Sequence, residues 1–193
     1  MQPFAPFTGV LVLPDRAVFG STSPVTLGNG EQVATVRWHK WTARARFELL
    51  DAAGSAVLAS GSRTGFWGRT YQVLDSRQEP VLDLRISGWG LSGRSVITLP
   101  GGRVLHAKGN WSARRFAVAD EDGAPVARLV TTGSTFSLRP DSLALELTAP
   151  VLSIVQGAGL AQCLRAAAEA ARDSSAAAEP HPPHRWSSIH IGL

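Results

Sequence analysis

The stretch Pro150–Arg172 constrains the fold of this chain more than any other feature, because it is typical of one long helix whose first half is apolar on every side. Between Pro150 and Leu164 the only polar residues are one serine and two glutamines. A helix that is apolar all round must be buried in protein or in lipid. Burial of each large apolar side chain contributes roughly 1.5–3 kcal/mol, so the sequence predicts a central helix over about 150–172 that the rest of the chain encloses.

Length and composition indicate one folded domain. The chain has 193 residues, of which 44% are hydrophobic and 18% charged, and its net charge is +4. We expect a domain over 1–172 and a flexible Ala/Pro-rich tail over 173–193. Cys163 is the one cysteine, which excludes an internal disulfide framework and suits a reducing compartment. No basic segment followed by an apolar run resembles a signal peptide, so we expect a cytoplasmic protein.

The residues from Gln32 to Thr148 predict a series of antiparallel hairpins. In 43–60, the side chains of Ala45, Phe47 and Leu49 fall on one face, and Asp51–Gly54 makes the turn. The same order of alternating strand, Asp/Gly turn and alternating strand recurs roughly every 20–25 residues. The later copies occupy 71–85, 96–105 and 116–129, and short strands at 135–138 and 143–148 lead into the helix.

The order of these hairpins, ending in one apolar helix, resembles the tubby C-terminal-like superfamily, and within it the phospholipid-scramblase-like and LURP-one-related branch. The resemblance covers about 32–172 and rests on that helix and four segments: FELLDAAGSAVL, YQVLDSRQEPVLDL, ITLPGGRVLHA and RRFAVADEDGAPVARL. It implies a mainly β fold, a closed antiparallel barrel of about 12 strands around one buried hydrophobic C-terminal helix. Physical chemistry agrees, because closure removes exposed strand edges and the helix fills the lumen. The turn Asp75–Gln78 departs from the pattern because it lacks glycine.

A run of interleaved cations and tryptophans is the candidate binding surface. Such a run suits the phosphate groups of an anionic membrane surface or of nucleic acid. A solvated strand face whose tryptophans pack into the barrel is the simpler interpretation, and the sequence alone favours it. The candidate ligand-binding residues are Arg37, Trp38, Lys40, Trp41, Arg44 and Arg46, which Arg114 and Arg115 could extend.

The sequence indicates no catalytic constellation, cofactor site or metal site. Asp120–Gly123 resembles the start of a calcium loop, but Thr131 stands where a bidentate glutamate is needed. The glycine-rich segment 88–95 joins two strands rather than opening a helix, so it is expected to be a loop and not a phosphate cradle. Cys163, among apolar residues of the helix, is expected to be inert core.

The first functional hypothesis is therefore a non-enzymatic binding module for an anionic lipid surface or another acidic partner, which we favour over nucleic acid. Two alternatives remain open. One is the scramblase-related membrane role that the resemblance suggests, and the other is a structural or regulatory protein-interaction domain that uses the tail.

Overall fold

The computed structural model describes residues 2–14, 21–39, 46–65, 69–87, 93–111, 113–132 and 142–176, with side chains as far as Arg172. These residues form a closed antiparallel barrel of twelve strands with one helix inside it, which confirms the predicted fold class. Each strand pairs with its neighbours in sequence, and β1 closes the ring by pairing with β12 from Gly9↔Leu147 to Leu13↔Leu143.

The elements follow one another in simple order along the chain. The strands are β1 (Gly9–Leu13), β2 (Thr22–Leu27), β3 (Gln32–Trp38), β4 (Arg46–Leu50), β5 (Val57–Thr64), β6 (Thr70–Asp75), β7 (Pro80–Ile86), β8 (Gly93–Thr98), β9 (Val104–Asn110), β10 (Arg115–Asp120), β11 (Pro125–Thr131) and β12 (Leu143–Leu147). A 3-10 turn, Pro100–Gly102, joins β8 to β9, and the helix α1 spans Ile154–Ala176. The predicted strand at 135–138 lies outside the described residues.

The alternation of the sequence becomes the inside and outside of the barrel. On β12, Leu143, Leu145 and Leu147 are buried while Glu146 is exposed. Because side chains of a strand point alternately to its two faces, every second residue contacts the helix or another inward-facing residue. The helix contributes Val155, Leu160 and Leu164 among other residues to the same continuous core.

The two ends of the barrel differ in their connections. At one end, which we call the turn end, the strands are joined by the tight connections 28–31, 51–56, 76–79, 99–103 and 121–124. The opposite end, the loop end, carries the connections 14–21, 39–45, 65–69, 87–92, 111–114 and 132–142. The helix enters at the turn end and runs toward the loop end, because β12 finishes at the turn end before α1 begins.

The helix begins at Ile154, four residues after the predicted start, because Ser153 and Gln156 form a capping box. The Gln156 N–H donates to Ser153 Oγ at 3.1 Å, and the Ser153 N–H donates to Gln156 Oε1 at 2.9 Å. The Val155 N–H, which has no partner within the helix, donates to the Pro3 carbonyl at 3.2 Å. The first backbone donors of the helix are thus satisfied without residues 150–152 being helical.

Two polar side chains of the helix lie inside the barrel. Arg165 is buried and its guanidinium donates to the carbonyls of Pro14 at 2.9 Å and Leu13 at 3.1 Å, which fastens the helix to the end of β1. Gln162 is 1% exposed, and neither atom of its amide has a hydrogen-bond partner among the described residues. Among the described residues, these two are the polar side chains that α1 buries in the barrel.

Candidate functional site

Arg37 and Arg46, two residues of the predicted patch, lie beside a carboxylate. Arg37 on β3 is the ladder partner of Glu48 on β4, and its Nε donates to Glu48 Oε2 at 2.7 Å while Nη2 contacts the same oxygen. His39 Nε2 lies 3.3 Å and Arg46 Nη2 4.0 Å from Glu48 Oε1. This arrangement, the Glu48 cluster, consists of three basic side chains gathered around one carboxylate.

The Glu48 cluster is partly compensated within the barrel, because one carboxylate lies among two arginines and a histidine. Partial burial of the Glu48 carboxyl opposes its ionisation, but the hydrogen bond and charge of Arg37 and the charge of His39 outweigh that effect, so the pKa of Glu48 lies below its ordinary value. Glu48 is therefore ionised at neutral pH and cancels one positive charge of the patch. Arg37 is thus already engaged, since two nitrogens of its guanidinium make charge-assisted hydrogen bonds to one oxygen of Glu48.

The remaining patch residues are divided between the core and the chain outside the description. Trp38 is 5% exposed and packs inside the barrel against Phe47, with ring centroids 5.7 Å apart. This position agrees with the simpler interpretation, in which the tryptophans pack into the barrel. Lys40, Trp41 and Arg44 lie outside the described residues.

Arg114 and Arg115 do not extend that patch. They lie in and after the connection from β9 to β10, and β10 is six strands from β4 in either direction round the ring. Arg114 is 8% exposed with a positive φ of 48°, and its Nη1 is buried without a hydrogen-bond partner among the described residues. Arg115 is exposed at the start of β10. Arg37 and Arg46 therefore lie on the opposite side of the barrel from Arg114 and Arg115.

The side of the barrel around Arg115 carries a second set of cations, of which the sequence analysis singled out only Arg115. We call it the basic wall, the outward face of β7 to β11. Its basic side chains are Arg85, Arg94, His106, Lys108, Arg115 and Arg128. Asp83 lies on this face, two residues before Arg85 on β7, and Glu146 borders it on β12 as the ladder partner of Arg128. No ion pair with a described residue is made by four of these cations, Arg85, Arg94, Lys108 and Arg128.

A groove crosses the basic wall. Its volume is about 400 Å³, and it is lined by Ser87, Arg94, Ser95, Val96, His106, Ala107 and Lys108. We call it the β8–β9 groove. Arg94 and Lys108 are direct ladder partners, as are Val96 and His106, so the three basic side chains project from adjacent positions on two paired strands. The Ser87 hydroxyl is engaged, since it donates to the Arg94 carbonyl at 2.9 Å.

Charge is also divided between the two ends of the barrel. The turn end and its flanking strand residues carry seven carboxylates and two arginines. The carboxylates are Glu31, Asp51, Asp75, Glu79, Asp120, Glu121 and Asp122, and the arginines are Arg77 and Arg103. The cations of the basic wall lie on the strands and toward the loop end. The described barrel therefore presents one acidic end and one basic side, which orients it in the field of a charged partner.

Within the part of the chain that the structure describes, other kinds of site are not assembled. Cys163 is fully buried in the helix, and burial raises the pKa of its thiol. Among these residues no group of three or more His, Cys, Asp or Glu side chains could hold a metal ion. No helix among them is long and apolar enough to cross a bilayer.

The juxtaposed cations of the β8–β9 groove could have been predicted from the sequence through the hairpin turn between the two strands. The turn between Leu99 and Arg103 fixes the register of β8 against β9, because antiparallel partners lie at equal distances from the turn. That register places Arg94 opposite Lys108 and Val96 opposite His106, as the structure has them. Reading each cation along its own strand misses the juxtaposition.

No protein-family model matches this chain, and no curated protein matches it. Among solved structures, the chain is similar to a protein from Arabidopsis thaliana determined by X-ray crystallography, with a TM-score of 0.54 and 16% sequence identity over 88% of this chain and 94% of that one. At this identity the similarity shows the fold. It extends over almost the whole of both chains, so the shared architecture includes more than a single hairpin.

Proposed function

We propose that this protein is a non-enzymatic binding module that holds an anionic surface, a membrane or an acidic partner, against its basic wall. The observation that carries the proposal is the basic wall itself, where Arg85, Arg94 and Lys108 project without an ion-pair partner among the described residues. The Glu48 cluster shows the contrast, because there the barrel supplies its own carboxylate. Uncompensated surface cations attract anionic lipid by about 1 kcal/mol for each Lys or Arg near the surface.

Binding suits the groove better than catalysis does. The Ser87 hydroxyl is committed to a backbone carbonyl, and Ser95 points into the barrel. A nucleophile needs a base within hydrogen-bond reach and a group that orients the base, and the described residues of the groove form no such chain. Long cationic side chains on a rigid sheet instead provide electrostatic contact at low cost in reorganisation.

The fold supports the same conclusion. A closed barrel around a helix is what the resemblance to the tubby C-terminal-like superfamily implies, and we place the protein there, in the phospholipid-scramblase-like and LURP-one-related branch, on the order of its hairpins. The helix is enclosed from Leu160 to Ala168 by barrel side chains. An enclosed helix favours peripheral binding over the scramblase-related alternative, because its apolar surface is already used in the core.

Vesicle co-sedimentation tests the proposal. Phosphatidylcholine vesicles are compared with vesicles that also contain phosphatidylserine, each at low and at physiological salt. The wall variant R85E/R115E is set against the turn-end variant R77E/R103E, which reverses the same number of arginines. We expect wild type and the turn-end variant to bind the anionic vesicles and the wall variant to lose more than about tenfold in affinity. Equal losses in the two variants, or no binding by wild type at low salt, would contradict the proposal.

A further inference from the structure

The structure assigns a discrete phosphate-binding site to the β8–β9 groove, in which Arg94, Lys108 and His106 hold one phosphate monoester group. This inference deepens the proposed function and rests on it only in placing a negatively charged partner on the basic wall. An anionic surface needs many dispersed cations, whereas a phosphate site needs several basic groups that converge on a few oxygens. The arrangement of these three residues points to the second kind of contact.

The register of β8 and β9 places two like charges directly opposite each other. Arg94 and Lys108 are direct partners in the β8–β9 ladder, and neighbouring strands lie about 4.8 Å apart. Like charges directly opposite each other destabilise a sheet. No described carboxylate forms an ion pair with either side chain. A bound anion between the two cations would replace this repulsion with two attractive contacts.

The Glu48 cluster shows that two arginines and a histidine on paired strands of this barrel hold an oxyanion where one is present. There Arg37, His39 and Arg46 surround the Glu48 carboxylate, with hydrogen-bond or ion-pair contacts from each. The β8–β9 groove likewise has two cations and a histidine on two paired strands, but none of its lining residues is a carboxylate. An oxyanion from outside is the chemically matching occupant.

The size of the groove and its two cations suit a phosphate monoester. The neighbours of the cations are small: Ala117 on β10 is the ladder partner of Lys108, and Ser87, which directly follows β7, donates its backbone N–H to the Arg94 carbonyl. The long side chains of Arg94 and Lys108 therefore rise on two sides of an open space of about 400 Å³. That space is larger than one phosphate and leaves room for its substituent. A doubly charged phosphate monoester matches two cations better than a singly charged carboxylate does.

Two soluble probes and two vesicle types distinguish a free phosphate compound from a lipid headgroup as the source of the phosphate. Inorganic phosphate and glycerol 3-phosphate are titrated at constant ionic strength into the labelled protein, with the amide resonances of β8 and β9 followed by NMR. Phosphatidylcholine vesicles with phosphatidic acid are compared with phosphatidylcholine vesicles that contain phosphatidylserine at equal surface charge. The groove variant R94Q/K108Q is set against the matched turn-end variant R77Q/R103Q.

We expect saturable shifts confined to β8, β9 and Ser87, a loss of at least about tenfold in phosphate affinity in the groove variant, and a change of less than about twofold in the turn-end variant. Removing the opposed charges should leave the unliganded barrel at least as stable, so a lower melting temperature without phosphate would contradict the register argument. Shifts that do not saturate, or equal losses in both variants, would overturn the site.

The probes also separate this inference from the proposed function. Saturable binding of glycerol 3-phosphate without vesicle binding supports the groove and contradicts the membrane surface. Preference for phosphatidic acid over phosphatidylserine assigns the phosphate to a lipid headgroup. Equal binding of both vesicle types, with no saturable shift from either soluble probe, overturns the groove and leaves the basic wall as a nonspecific anionic contact.

Discussion

The ring of Phe47 on β4 occupies the space in which a side chain on Gly61 of β5 would begin. The two residues are partners in the β4–β5 ladder, and both lie toward the loop end. Trp111 covers Gly93 in the same way, and its ring also packs edge-on against Phe116 with centroids 4.8 Å apart. At these places the barrel is closed by an aromatic ring laid on bare backbone, so the packing depends on the absence of a Cβ atom.

Gly61→Ala should therefore destabilise the protein. The new methyl group would overlap a buried ring that has no room to move, and overpacking of this kind costs about 1–3 kcal/mol. Urea unfolding followed by tryptophan fluorescence measures the change. Gly28→Ala is the matched control, because a Cβ atom added to Gly28 would lie 3.4 Å from the Cβ of Val10, an ordinary van der Waals distance. Equal losses in the two variants would show that the ring is not the cause.

Much of the fold could be predicted because its determinants are local. Alternation places Phe47 and Leu49 inside, Asp/Gly turns fix the hairpins, and an apolar helix demands enclosure. Closure of the ring was harder to predict from local patterns, since Gly9–Leu13 pairs with Leu143–Leu147 from the far end of the chain. The start of the helix was missed because the capping box from Ser153 to Gln156 is a stronger boundary signal than the apolar run.

The candidate site was harder to predict than the fold because charge compensation acts between strands. Arg37 looks free when β3 is read alone, but Glu48 lies opposite it on β4. Conversely, Arg94 and Lys108 are fourteen positions apart in sequence and become neighbours only through the hairpin register. A row of cations on one strand is thus weaker evidence for a binding surface than two cations paired across a ladder.

The turn after β4 should make stability depend on pH. The N–H groups of Ser55 at 2.7 Å and Ala56 at 3.2 Å and the Ser55 hydroxyl at 2.9 Å donate to the Asp51 carboxylate. These bonds hold its pKa below the ordinary 3.8. Since the pKa is lower in the folded state, the ionised carboxylate stabilises the fold above pH 3.8, and this contribution is lost as the pH falls below it.

Asp51→Asn should therefore be less stable than wild type at neutral pH and approach it below pH 3.8. Urea unfolding over a series of pH values measures the two profiles. Asp122→Asn, which changes an exposed turn carboxylate without a hydrogen bond to a described residue, is the control and should run parallel to wild type. A constant difference between Asp51→Asn and wild type at every pH would exclude the carboxylate as the source.

Replacing Gln162 by methionine should stabilise the protein. Both polar atoms of this buried amide are without a partner among the described residues, and each unsatisfied buried group costs about 1–3 kcal/mol. Methionine has a similar length and fills the same volume without polar atoms. Gln156→Met on the same helix is the opposite case, because the Ser153 N–H loses its acceptor, Gln156 Oε1, and the protein should be destabilised by about 0.5–1.5 kcal/mol. A loss of stability in Gln162→Met would mean that the amide binds internal water.

Glu48→Gln should leave membrane binding unchanged, because the Glu48 cluster lies on the side of the barrel opposite the basic wall. The change removes one negative charge beside Arg37, His39 and Arg46, but on a side that faces away from the bilayer, so affinity for phosphatidylserine vesicles should stay within about twofold of wild type. The same variant should unfold more easily, since the hydrogen bonds of Arg37 lose their charged acceptor. Asp83→Asn makes the same change of charge on the basic wall and should raise the affinity about fivefold at low salt. If Glu48→Gln raised the affinity as much as Asp83→Asn, net charge alone would govern binding and the orientation of the barrel would be irrelevant.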